Sequence, residues 1–533
     1  MKAPATVLLL AAAAAAAEGD PPPPPAPPQP AGDPAPPASS DGELGALADA
    51  VAKEVEALRG LRFKTPVARR TKAREAVVDE FRPKRRRPSK GPSGQSRALR
   101  FFGYIEAEKP SAPGQPETLP DAAETEARFR AESVGGYYSS RDKVFTLVDG
   151  DGGSLNRMIV FHELIHALED QHYDFRATEK PLRDADRTDR WRAYRALVEG
   201  SAQLHTDRWV DGEPGRRKEI FQDILLRRGR TPPKPKDEAK PADPPAGQPA
   251  GPQAEKPAEG EAAPPKPRAP KPPSAPPVYL AIREQMFPYH NGRLFLEAVL
   301  GADDPPLEGV DPLARLFAAP PASSEQVLHP EKYLDPPDLP REIVLPDLAP
   351  ILGEGWEHVA EDTEGELGLG IALNRWLYGK LASRQFLAVL KPPPDGFKKP
   401  EDLMNTAVEF RGTSGASTNG WDGDRWALWV NGDRECMAWV LVFDSERDAA
   451  ECAEGFAKAF KHKYKGAVRG EDGVWTGAGE GSTAVVAAGD RLVVVERCPP
   501  EALPKVLDAL RAAVVERDPR DAIPAPPPPA EAK

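Results

Sequence analysis

The sequence predicts an α+β fold: a mainly helical region carrying a small sheet, followed by a second α+β region. Three observations predict it. Apolar residues recur at spacings of three and four through "ELGALADAVAKEVEALRGLRF" and through the stretches around Phe161 and Leu197, the period of a helix packed on one face. Strand composition is confined to short runs between glycine turns, at Lys143 to Val148 and again beyond Gly355. The 64 prolines gather in 20–38, 231–277 and 523–529, where too few apolar residues are present to offset the entropy of ordering.

The first residues, "MKAPATVLLLAAAAAAAEGD", join one early lysine to an apolar run from Val7 to Ala17 that closes on Ala-x-Ala. These are the features of a secretory signal peptide, expected over 1–17. The run is too short to span a bilayer and no later stretch reaches the ~20 apolar residues of a membrane helix. The expectation is an extracytoplasmic bacterial protein, periplasmic or secreted, with no integral membrane segment after cleavage. A proline-rich disordered linker is expected over 18–41.

Leu44, Leu47, Val51, Val55, Leu58 and Leu61 then mark an amphipathic helix. "GGYYSSRDKVFTLVDGDGG" predicts a strand from Lys143 to Val148, with Tyr137 and Tyr138 beginning a hairpin. A helix capped by Ser154 or Asn156 follows through "RMIVFHELIHALEDQ", and "DRWRAYRALVEGSAQLHTDRWV" predicts a second. A disordered proline-rich insertion is expected over 229–277, because helical pattern resumes in "VYLAIREQMFPYHNGRLFLEAVL". The first domain is thus expected to span 42–350.

A C-terminal α+β domain is expected over 355–518, with a disordered tail over 519–533. Its hairpins centre on Asn431-Gly432 and Gly489-Asp490, with a helix over "SERDAAECAEGFAKAFKHKY" and another over "PEALPKVLDALRAAVV". Cys436, Cys452 and Cys498 are too few for a disulfide framework; one bridge is possible and none is required. The net charge of -12 argues against a nucleic-acid partner, although "RPKRRRPSK" from Arg82 to Lys90 is locally basic.

The chemistry concentrates in "FHELIHALEDQHYDF", which holds three of the eight histidines. On a helix His162 and His166 lie one turn apart, so both imidazoles converge on one ion. Glu163 beside them is the candidate general base in this HExxH spacing. A hydrolytic zinc site needs a third protein ligand and an open position. The candidates are His172 and Glu199, the latter within "ALVEGSAQ". If the first helix continues, His172 is rotated by about 240° from His166 and turned away. The spacing of His172 resembles that of the metzincin proteases, in which a glycine three residues after the second histidine breaks the helix; here that position is Glu169, a good helix former.

"HELIHALEDQHYDF" followed by "ALVEGSAQ" and preceded by "GGYYSSRDKVFTLVDG" resembles the gluzincin, thermolysin-like zinc metallopeptidases, and in particular a group of secreted bacterial proteins. "FPYHNGRLFL" and "PASSEQVLHPEKYL" are similar to the same group. The resemblance covers roughly 50–335. It implies a zincin-like domain, Zn²⁺ held by His162, His166 and Glu199, Glu163 as base, and a protein or peptide substrate. Where thermolysin has an aspartate four residues after its glutamate ligand, this chain has Gln203. Gln203 or Asp170 is the expected acceptor behind a metal histidine. Tyr289, His290, His205 and His329 are the candidate donors to the oxyanion. The strand from Lys143 to Val148 fits the edge strand that receives an extended peptide. Two other readings use the same residues: a non-catalytic envelope binding protein that keeps the scaffold, and a zinc amidase or deacylase acting on a non-peptide substrate.

Overall fold

The computed structural model describes residues 40–81, 93–105, 120–148, 153–227, 279, 281–301, 311–334, 336–390 and 417–512. The expected signal peptide, the linker up to residue 39, the basic run at 82–90, the insertion 229–277 and the tail 519–533 lie outside them.

Helix α1 (Ser40–Arg59) buries Leu44, Val51 and Val55 as its spacing requires, while Leu58 stays exposed. Strand β1 (Ala68–Lys72) and helices α2 (Arg74–Phe81), α3 (Gly94–Phe101) and α4 (Ala122–Ser133) follow. The predicted hairpin forms from β2 (Gly136–Ser139) and β3 (Val144–Val148), and the sheet order is β1-β3-β2. β3 is therefore the central strand, parallel to β1 and antiparallel to β2, and β1 and β2 are the edges. This corrects the expectation that the strand ending at Val148 is the edge. Lys143 is not in the strand: it takes φ 56° at the turn, and its ammonium donates to Asp170 at 2.7 Å. β1 is absent from the sequence reading because "ARRTK" carries no apolar alternation. Arg70 holds it in place, donating to Thr146 Oγ1 at 3.0 Å and to Glu80 at 2.8 Å.

The sheet lies against α5 (Gly153–Tyr173), the central helix of this half, which is buried on all sides from Met158 to Asp170. Neither Ser154 nor Asn156 caps it. Asp223, on α8 (Arg216–Arg227), accepts from Leu155 N at 2.9 Å, so a distant carboxylate satisfies the first turn. Between these elements run α6 (Phe175–Asp184) and α7 (Thr188–Asp211), the second predicted helix.

The segment predicted to resume the helix does so in two geometries, a π-helix over Ala281–Asn291 and then α9 (Gly292–Leu300). Pro288 lies inside the first and brings no N–H, which an α-helical ladder would need there. Both pack on α7, and α9 does so at backbone contact. A Cβ on Gly200 would meet Gly292 C at 2.3 Å, and one on Gly292 would meet Ala196 O at 2.0 Å. α10 (Ser324–Leu328), capped by the Ser323 hydroxyl, closes this half.

Beyond it, β4 (Glu357–Asp362), α11 (Gly365–Leu390), β5 (Trp421–Asn431), β6 (Arg434–Phe443), α12 (Glu446–Lys463), β7 (Val468–Arg469), β8 (Val474–Thr476), β9 (Ser482–Ala488), β10 (Arg491–Cys498) and α13 (Leu503–Ala512) build an antiparallel sheet. Its order is β4-β5-β6-β10-β9-β8-β7. Both predicted hairpins are present, with Gly432 at φ 62° and Gly489 at φ 61° supplying the left-handed turn positions. Alternate residues feed two cores: Met437, Trp439, Leu441 and Phe443 face α12, while Cys436, Ala438, Val440 and Val442 face α13. All three cysteines are buried free thiols.

The halves share one core. Phe102, just after α3, sits edge-on to Trp426 at 5.6 Å and Trp439 at 5.1 Å, and Arg97 donates to Glu435 at 3.0 Å. Helix α3, from the region expected to form the first domain, is thus a layer of the second sheet. No helix among the described residues is long and apolar enough to cross a membrane.

Candidate metal centre

α5 carries His162 and His166 on one side, with ring centroids 4.9 Å apart and planes at 86°. α7 brings Glu199 between them: its Oε2 lies 3.4 Å from His162 Nε2 and 3.1 Å from His166 Nε2. All three donor atoms fall within 4.8 Å of one another. Ligand atoms on a tetrahedral ion at ~2.1 Å stand roughly 3.4 Å apart, so the trio has the dimensions of a zinc site.

The charges point the same way. Burial would raise the Glu199 carboxyl, but His166, the hydrogen bonds from both imidazoles and Arg195 drive it well below the usual range. Burial opposes a charge on His166, yet the Glu199 carboxylate outweighs it and lifts that imidazole to about 9. A field that draws a proton between these groups also draws a cation.

The orientation of His162 follows from a residue the sequence reading missed. Thr206 donates to Ala202 O at 2.7 Å, and its oxygen lies 3.3 Å from His162 Nδ1. Since its single proton is committed, the hydroxyl accepts at Nδ1, and Nε2 presents its lone pair to the centre. Thr206 lies about two turns past Glu199 on the same face of α7, and that spacing was the available signal. Neither expected acceptor serves here. Gln203 donates to Asp207 at 2.9 Å, and Asp170 accepts from Tyr138 Oη at 2.8 Å and from Phe175 N at 2.9 Å. His166 Nδ1 is buried without a hydrogen-bond partner among the described residues.

Glu163 sits beside the trio, and its Oε2 accepts the backbone N–H of Tyr138 at 2.8 Å. Burial raises its pKa, against the lowering influence of His166 and His162. The ladder explains the contact. Val148 N donates to Gly135 O at 2.9 Å, so the alternate residues Gly136 and Tyr138 turn their polar groups outward from the edge of β2.

His172 lies outside the centre. α5 continues unbroken through Glu169 to Tyr173, and His172 Nε2 is 2.9 Å from Arg62 O. Glu169 itself is buried, accepting from Arg59 at 2.9 Å and from Ser201 Oγ at 2.5 Å, which ties α5 to α1 and α7.

Of the four oxyanion candidates, only Tyr289 reaches the site. Its ring stacks on His162 at 5.7 Å, and it lines a cleft of ≈ 480 Å³ shared with Glu163, His166 and Glu199. His205 is buried elsewhere, with Nδ1 on Ser201 O at 2.7 Å; burial and then Arg59 hold it well below the usual histidine range. His329 pairs with Glu366 at 3.1 Å. His290, next to Tyr289, does not line the cleft. A second trio, Asp338, Asp422 and Asp444, is met by cations: Lys332 lies 2.9 Å from Asp338 and Asp444, and Arg341 2.6 Å from Asp422.

Residues 354–507 match a family model described as a domain of unknown function, DUF8575. The matched segment contains the seven-stranded sheet and leaves His162, Glu163, His166 and Glu199 outside it. No curated protein and no solved structure matches the chain.

Proposed function

We propose that the chain is a zinc metallopeptidase of gluzincin type, exported by a bacterium and acting on peptide bonds in an extended substrate. The observation that carries this reading is the convergence of two imidazole Nε2 atoms and the Glu199 carboxylate beside the outward edge of a strand, with Glu163 between centre and edge. His162, His166 and Glu199 would hold the zinc, whose chemistry when bound is that of a Lewis acid acting on water and on the scissile carbonyl.

Glu163 takes the proton. With Oε2 engaged by Tyr138 N–H, its other oxygen is the one left to accept it, and burial brings its basicity toward the working range. Gly136 and the Tyr138 carbonyl offer outward groups to a substrate backbone along β2. Tyr289, stacked on His162, is the donor placed to meet negative charge developing on the carbonyl oxygen. The edge strand favours a peptide over the amidase reading, and an intact Glu163 favours catalysis over a scaffold role.

Glu163→Gln is the test. It is expected to keep stoichiometric zinc and the native melting temperature while losing peptide hydrolysis by at least 100-fold, roughly the scale of general base catalysis. Unchanged turnover in that variant would sink the reading.

A further inference from the structure

A bulge in the second sheet brings two cysteines to one place. β10 runs antiparallel to β6 in regular register from Arg491 opposite Val442 to Glu496 opposite Met437, so position 497 would stand opposite Cys436. Val493 and Val495, opposite Val440 and Ala438, face the core under α13, and alternation would send residue 497 there next. Arg497 leaves that series. It takes φ 60°, and the pairing of β10 with β9 slips between Val495 and Cys498. Its guanidinium goes to the other face, Nη1 lying 3.2 Å from Glu435 and Cζ 5.1 Å from the centroid of Phe101. Gly481, just before β9, leaves room for the slip, since a Cβ there would meet Cys498 O at 2.7 Å. Cys498 thereby takes the inward place, fully buried in the same core as Cys436.

The spacing suits a covalent bond. Residues directly opposite in an antiparallel pair have Cα atoms ~4.5 or ~5.5 Å apart, and a disulfide takes roughly 4.4–6.8 Å. The two thiols also act on one another. Cys498 Sγ donates to Pro499 O at 3.5 Å, and hydrogen bonding toward Cys498, ahead of burial, pushes Cys436 well above the usual thiol range. Cys452 lies across the sheet, on α12 in the opposite core. β6 and β10 are the third and fourth of the seven strands, and both cysteines fall within the matched segment 354–507. A bond between them would therefore staple the middle of that domain.

We propose that Cys436 and Cys498 are an oxidisable pair that closes to a disulfide and fastens β6 to β10. The oxidant is a low-molecular-weight disulfide. One cysteine loses its proton, and its thiolate attacks a sulfur of the oxidant, whose S–S bond breaks and whose leaving thiolate takes up a proton. The second cysteine, likewise deprotonated, attacks the mixed disulfide, forms the Cys436–Cys498 bond and releases the other half as a thiol. Two cysteine thiols are oxidised and one disulfide is reduced. Because both sulfurs are buried in the folded chain, the exchange belongs to folding, before α13 closes over the sheet. The pair is independent of the peptidase reading.

Cell-free synthesis of the full chain in a buffer of oxidised and reduced glutathione, beside a sample made in dithiothreitol, tests this without a refolding step. The soluble monomer is alkylated, unfolded and its thiols counted. Glutathione is expected to remove two of the three thiols and dithiothreitol none. Peptide mapping under non-reducing conditions should show the segments carrying Cys436 and Cys498 joined. Cys452→Ala should keep that link and leave no free thiol, whereas Cys436→Ala and Cys498→Ala should each form no link. Three thiols remaining after synthesis in glutathione, a link that includes Cys452, or glutathione left on Cys436 or Cys498 without closure overturns the proposal.

Discussion

The hydroxyl oxygen of Thr206 lies 3.3 Å from Nδ1 of His162, while the same hydroxyl donates to Ala202 O at 2.7 Å. The pair fixes which nitrogen of His162 is free to ligate. Thr206→Val keeps the side-chain shape and removes the acceptor. Zinc affinity, read by competition with a chromogenic chelator, is expected to fall by roughly 10-fold or more. An unchanged affinity would mean that Thr206 does not set the tautomer.

Gly200 and Gly292 let two backbones touch, and that contact sets Tyr289 against Glu199 and His162. Because a Cβ at Gly200 would meet backbone at 2.3 Å, nothing flexible can yield and the helices must part. Gly200→Ala is expected to cost about 1–3 kcal/mol in urea unfolding and to weaken zinc binding. Gly45→Ala, on α1, meets only the Arg69 side chain at 3.5 Å and should leave stability within about 0.5 kcal/mol of wild type or raise it.

Asp189 joins the halves, accepting from Ser324 N at 2.9 Å beneath Gly365. Burial raises its carboxyl to about 7, against the bonds from Ser324 and the charge of Arg192. The folded chain therefore holds a proton that the unfolded chain releases near pH ~4. Between these values the native state binds more protons, so this group's contribution falls as pH rises, on the order of 1 kcal/mol per pH unit. Asp189→Asn removes that dependence. The stability of the variant relative to wild type should rise from pH 5 to pH 7, and a constant difference would contradict the shift.

How far the sequence could be read depended on where each signal resided. The hairpins at Gly432 and Gly489 and helices α5 and α7 were legible because turn chemistry and periodicity are local. The edge role of β2 was not, since it depends on β1, whose polar "ARRTK" pairs with β3 through contacts to Glu80 and Thr146. The helix cap at Leu155 was misread for the same reason: its acceptor, Asp223, comes from α8. Within the site, His162 and His166 are named by their spacing, and Glu199 by the resemblance that "ALVEGSAQ" carries. Thr206 acquires its role only when α5 and α7 are placed in space. α11 (Gly365–Leu390) was not anticipated, because its consecutive apolar residues from Leu367 to Leu373 are buried on several sides and leave no amphipathic period.

The central claim is that Glu199, and not His172, completes the centre, and zinc stoichiometry of two purified variants after dialysis tests it most directly. Glu199→Ala removes the carboxylate that lies within 3.4 Å of both imidazoles, and it is expected to leave the chain with well under one zinc. His172→Ala removes a contact to Arg62 O at 2.9 Å, away from the trio, and it is expected to keep zinc near one per chain. Metal lost from His172→Ala and retained by Glu199→Ala would contradict the assignment, and the peptidase reading with it.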